Sequence, residues 1–172
     1  MNRVSSTDRG RAIRLPLVGT CVVGVVLVVA LIGPGWLYSP ANPVVGSPST
    51  TLDFQGLNDL VSHVPSTGRQ QAYFGWLGWC LVALTVLSML AATVRSSPVA
   101  AGVVCIIALT GLASTLFAVK GSMTWSQFSD SLHDVRAGAF MVLGGYLAAA
   151  AGGLVAALRR ASNRPHPTLT PR

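Results

Sequence analysis

The feature that most restricts what this chain can become is the run at positions 137–158, AGAFMVLGGYLAAAAGGLVAAL, which holds no ionisable side chain. As a helix rising 1.5 Å per residue, about 22 residues reach ~33 Å, enough to cross ~30 Å of hydrocarbon. Thr124, with Gln127 three positions on, has the spacing of a capping box, and Arg159 and Arg160 follow the run as a cytoplasmic stop. The stretch 124–160 therefore reads as a single helix that starts outside a membrane, crosses it and ends on two arginines.

Three further runs, 15–38, 71–94 and 99–119, share this character, and none contains Asp, Glu, Lys, Arg or His. Of 172 residues, 10% are charged, against about a quarter in soluble domains. The net charge of +7 would suggest nucleic acid in a soluble chain, but here the basic residues flank apolar runs. They fix orientation, and no nucleic-acid partner is implied. The predicted fold class is all-α: an integral membrane four-helix bundle with short amphipathic helices in two extracytoplasmic loops. Layout and composition, with Arg, Ala, Val and Gly abundant and Lys almost absent, resemble those of small uncharacterised four-span membrane proteins of actinobacteria. That resemblance rests on no signature motif and implies no activity.

In chain order, 1–14 is a basic N-terminal segment and 15–38 the first predicted span. A basic segment before an apolar run also describes a signal peptide, and Ser39-Pro40-Ala41 has a small-x-small pattern. The run exceeds a signal core in length, however, and ends on Trp36 and Tyr38, which suit an interfacial anchor, so retention is expected. Positions 39–70 form the first outer loop. Pro40, Pro43 and Pro48 predict extended or turn structure there. Phe54, Leu57, Leu60, Val61 and Val64 then recur at helical spacing and predict a short amphipathic helix, ended by Pro65. Positions 71–94 are the second span, 95–98 a tight inner turn, and 99–119 the third span. The second outer loop, 120–136, puts Trp125, Phe128, Leu132 and Val135 on one helical face and runs without a breaker into the fourth span at 137–158. Residues 159–172 form a Pro-rich basic tail, predicted to be disordered.

Orientation follows from the charges. With both termini inside, Arg3, Arg9, Arg11, Arg14, Arg95, Arg159, Arg160, Arg164 and Arg172 are cytoplasmic, while Arg69, Lys120 and Arg136 are outside with all the Asp except Asp8. The predicted location is the plasma membrane.

Spans without ionisable groups argue against a proton- or sodium-coupled transporter. The fourth span instead carries two stripes of small residues, Gly145-Ala149-Gly153 and Gly144-Ala148-Gly152. Such spacing lets helix backbones approach closely, either inside this bundle or against a partner protein or second copy. The four Trp crowd the outer boundary, as anchors or as a contact surface. Arg69-x-x-Ala72-Tyr73 followed by Gly78-Trp79 echoes Arg136-x-x-Ala139-Phe140 followed by Gly145-Tyr146, which would make Arg69 and Arg136 equivalent if the two hairpins are duplicates. Either arginine could pair with Asp59, Asp130 or Asp134, hold a lipid phosphate, or simply snorkel. His63 and His133 beside these aspartates could be written as a metal or acid/base cluster, but such neighbours arise readily by chance. No nucleophile elbow, P-loop, HExxH or dinucleotide glycine pattern is present, and Cys21, Cys80 and Cys105 sit in apolar runs without metal spacing. The expectation is a non-catalytic membrane protein without cofactor. It would be an accessory or assembly subunit of a plasma-membrane or envelope complex, the alternative being a self-associating passive-transport or lipid- or solute-binding protein.

Overall fold

A computed structural model describes residues 6–41, 48–64, 66–95 and 97–162, with side chains from residue 17 onward; Pro43, Pro65 and the tail beyond residue 162 lie outside the described residues. Its long helices are apolar outward as well as inward. Val22 on α1 (Ser6–Ile32), Leu87 on α4 (Gly78–Arg95), Ile106 on α5 (Pro98–Lys120) and Leu158 on α7 (Ala137–Ser162) are each more than half exposed. A soluble helix would turn polar residues outward. Three continuous helices, Gly68–Arg95 (28 residues), Pro98–Lys120 (23) and Ala137–Ser162 (26), are long and apolar enough to cross a bilayer, which makes this a multi-pass membrane protein. The described apolar part of α1, Leu17–Ile32, is shorter.

The four long helices form a ring in which α1 packs on α4, α4 on α5, α5 on α7 and α7 back on α1. The axis is filled by Leu27, Val82, Ala108, Val142, Tyr146 and Ala149. Small residues set the spacing: the Tyr146 ring lies against the bare backbone of Gly111, so α5 and α7 come close. The turn between α4 and α5 is local chemistry. Ser97 caps α5 by accepting the Val99 N–H at 3.3 Å, and Pro98 occupies the first helical turn, where its missing N–H costs nothing. At its far end α5 stops on Gly121, whose φ of +58° suits glycine.

At the opposite end from Arg95 and Arg160, here termed the loop end, the connections form a small layer. A two-stranded antiparallel hairpin pairs β1 (Leu37–Ser39) with β2 (Thr50–Leu52). Helix α2 (Phe54–His63) starts where the Asp53 carboxylate accepts the Gly56 N–H at 2.7 Å, and it buries Phe54, Leu57 and Val61 against the bundle while Leu60 and Val64 stay exposed. Helix α3 (Gly68–Ala72) opens on a Thr67/Gln70 capping box and runs through a π-helical turn, Tyr73–Leu77, into α4. The wide turn ends at Gly78, where a Cβ would lie 2.8 Å from Phe54 Cζ, so the turn and the seat of Phe54 are one arrangement.

Three sequence expectations are corrected here. The first helix ends at Ile32, short of Trp36 and Tyr38, and the extended chain that follows pairs as a hairpin. Trp36 is no interfacial anchor. It is fully buried, its indole Nε1 donates to the Ala30 carbonyl at 2.7 Å, and its ring centroid lies 5.2 Å from Phe54 and 6.0 Å from Phe74. The stretch 124–160 is not one helix. The Thr124/Gln127 capping box starts α6 (Trp125–Asp130), which buries no residue; a 3₁₀ turn (Leu132–Asp134) follows, and Val135 is extended at φ −72°, ψ 131°. The break is held from far away in sequence: Val135 bridges to Leu37, the Arg136 N–H donates to the Trp36 carbonyl at 2.8 Å, and the Gly138 N–H donates to the Gly35 carbonyl at 2.9 Å. Those carbonyls satisfy donors that the start of α7 would otherwise leave orphaned.

Candidate functional site

The two small-residue stripes of α7 meet different fates. Gly145, Ala149 and Gly153 face inward. A Cβ on Gly145 would lie 2.7 Å from Leu27 Cδ2 of α1, and one on Gly153 would lie 2.9 Å from the Ala101 carbonyl and 3.0 Å from the Cys105 nitrogen of α5. Ala149 is 1% exposed. This stripe is consumed by the bundle's own packing. Gly144, Ala148 and Gly152 lie on the neighbouring face and are exposed, and a Cβ built on Gly144 or Gly152 meets nothing within 4 Å.

Next to that open face, α1 contributes another open glycine, Gly19, where an added Cβ also meets nothing. Between them lies a cleft of about 280 Å³. Its rim is formed by Gly19, Ala148, Gly152 and Ala156, and it reaches inward to Met89 and Val104. Arg160 lies at its mouth and donates to the Ser97 carbonyl at 3.1 Å, closing the turn end of the bundle. On the α7 side the cleft is lined by Ala148, Ala149, Gly152, Gly153 and Ala156, side chains of one carbon or none, so a neighbouring helix laid along α7 can bring its backbone close. Spacing in the sequence does not single out Gly19, because the only other glycine of its Val-rich run, Gly24, is five residues on; only its placement beside α7 gives it a role.

The three loop-end cations are each set against an aromatic ring rather than a carboxylate. The guanidinium of Arg69 lies 5.5 Å from the Phe117 centroid, Lys120 Nζ lies 5.2 Å from Trp125, and the Arg136 guanidinium lies 4.8 Å from Tyr38. Of the alternatives open to Arg69 and Arg136, pairing with Asp59, Asp130 or Asp134 does not occur among the described residues, where the only ion pair is His133 Nε2 with Asp134 at 3.4 Å. Asp59 instead accepts from Gln55 Nε2 at 3.4 Å.

The two histidines are tied within their own turns, His63 Nδ1 at 2.8 Å from the Asp59 carbonyl and His133 Nδ1 at 2.7 Å from the Asp130 carbonyl. Among the described residues no three His, Cys, Asp or Glu side chains stand together as a metal-ligand set. The paired motifs of the sequence echo also occupy unlike places. Tyr73 is buried while Phe140 is 53% exposed; Trp79 is 42% exposed while Tyr146 is fully buried. Arg69 sits inside a helix and Arg136 in the extended break before one.

No protein-family model matches the chain, and no significant similarity links it to a curated protein or to a solved structure.

Proposed function

We propose that this protein is a non-catalytic four-span membrane protein that acts by binding, as an accessory or assembly subunit of a plasma-membrane or envelope complex. The proposed contact is a transmembrane helix of the partner seated on Gly144, Ala148 and Gly152 of α7, beside the cleft rimmed by Gly19. In this reading α1 is the fourth span, both termini are cytoplasmic, and the loop end faces outward, as the basic flanks require.

The observation that supports the reading is the open stripe. Glycine inside a helix costs roughly 1 kcal/mol relative to alanine in water. At Gly145 and Gly153 that cost is offset by contacts no larger residue would permit, whereas at Gly144 and Gly152 nothing within the described chain uses the space. In lipid, close backbone approach is what holds helices together, and a partner helix supplies the missing contact.

The test is purification of the tagged full chain from its native membrane in a mild detergent, comparing wild type with Gly152→Leu. A specific membrane protein recovered with wild type and lost with the variant is the expected result. Recovery of the same partner with Gly152→Leu would move the contact elsewhere. A homodimer broken by Gly152→Leu would replace the partner with a second copy of this chain.

A further inference from the structure

A groove on the face formed by the α3–α4 helix and α5 runs from the loop end down the outward surface of the bundle. Its upper part, about 500 Å³, is lined by Thr67, Gly68, Arg69, Phe117, Lys120 and Gly121. Its lower part, about 510 Å³, includes Tyr73, Leu77, Ile106, Leu109, Ala113 and Phe117, with Arg69 at its top. The two parts share Arg69 and Phe117, so they form one continuous groove, cationic above and mainly apolar below. We propose that this groove holds one anionic phospholipid of the leaflet at the loop end, its phosphate between Arg69 and Lys120 and an acyl chain along Leu77, Ile106, Leu109 and Ala113.

The upper part is assembled by named contacts. Gln70, locked into the capping box with Thr67, sends its amide Nε2 to the Ala118 carbonyl of α5 at 3.2 Å. That bond brings the start of α3 against the end of α5. It is possible because Gly121 has no side chain where the Gln70 amide lies. The arrangement makes Arg69, Phe117 and Lys120 line one pocket. Neither cation has a carboxylate within ion-pair distance among the described residues, and Arg69 is exposed. Their rings, Phe117 under Arg69 and Trp125 under Lys120, fix the stems and leave N–H donors free to face an anion.

Charge complementarity selects the occupant. Both cations stand at helix ends where a span meets the headgroup layer, the depth of a lipid phosphate. Below them the groove is mainly apolar, with Thr110 and Ser114 also in its lining, and in a bilayer an acyl chain is the neighbour that fits such a surface. A soluble anion would use the upper half and leave the lower half empty. Arg136 has the same charge and lies at the same end, yet it stacks on Tyr38 and lines neither part of the groove. This inference rests on the membrane reading but not on the partner face of α7.

The test measures lipid retention by native mass spectrometry on the detergent-purified full chain, titrated with phosphatidylglycerol or with phosphatidylcholine of the same acyl chains. Wild type is expected to hold one phosphatidylglycerol in clear preference to phosphatidylcholine. Each basic residue near a membrane surface contributes enough that Arg69→Gln or Lys120→Gln should weaken phosphatidylglycerol binding about fivefold, and the double variant about thirtyfold. Arg136→Gln should change it little. Ala113→Trp, which keeps both charges but fills the apolar half, should also lose the lipid. Melting curves equal to wild type would show that these outward positions leave the fold intact. Equal retention of the two lipids by wild type overturns the proposal. So does a loss in Arg136→Gln as large as in the Arg69/Lys120 double variant, or full retention in Ala113→Trp.

Discussion

The indole of Trp36 occupies the space a side chain on Gly138 would need: a Cβ there would lie 2.5 Å from Trp36 Cδ1 and 2.7 Å from Nε1. One ring thus joins the end of α1, the hairpin, α2 and the start of α7. Trp36→Ala is expected to cost about 3–5 kcal/mol, because it empties the centre of the aromatic layer formed with Phe54, Tyr73 and Phe74. Gly138→Ala is expected to cost about 1–3 kcal/mol by overpacking the same place. Thermal unfolding in detergent, followed by tryptophan fluorescence for the glycine variant and circular dichroism for both, checks the pair.

The split between the two α7 stripes gives a separable prediction. Gly145→Leu drives a side chain into Leu27 and should lower stability by about 1–3 kcal/mol or more, with loss of expression. Gly152→Leu enters open space and should leave stability within the change expected for surface positions, about 0.5 kcal/mol. If Gly152→Leu unfolds the chain as readily as Gly145→Leu, the assignment of inner and outer stripes is wrong.

Two buried tyrosines at the bundle axis should respond oppositely to loss of the hydroxyl. Tyr73 OH lies 2.6 Å from Thr115 Oγ1, which also donates to the Gly111 carbonyl at 2.8 Å. Tyr73→Phe should therefore cost about 0.5–1.5 kcal/mol. The Tyr146 hydroxyl is buried with no hydrogen-bond partner among the described residues. Tyr146→Phe removes an unsatisfied polar group, so it should be neutral or stabilising. Side-by-side melting of the two variants is decisive, and a larger loss for Tyr146→Phe would contradict the arrangement.

The proposed topology is tested by single cysteines at exposed positions. Ser62→Cys on α2 and Ser129→Cys on α6 should react with a membrane-impermeant maleimide added to intact cells, and Ser162→Cys only after the membrane is opened. Cys21 and Cys80 are exposed on the bundle surface within apolar helices, and in a bilayer both should stay unlabelled. Labelling of Ser162→Cys in intact cells would invert the scheme.

Amino-acid order alone determined the class of this protein. Long uncharged runs and breaks at Gly and Pro show where chain can lie in hydrocarbon, because an ionic group there is costly and backbone groups must pair within a helix. Local starts were also written in neighbouring residues: Asp53, Ser97 and the Thr124/Gln127 pair act on atoms two or three positions away. What neighbours could not show was anything settled across the bundle. The helical pattern from 124 onward contains no breaker, and only the Gly35 and Trp36 carbonyls, drawn in from the far side of the first helix, interrupt it. Trp36 looks like an anchor until Gly138 offers it a seat. Two glycine stripes of the same helix are indistinguishable by spacing, and Leu27 and Ala101 decided which one is buried, since close packing depends on what arrives opposite a face rather than on the face itself.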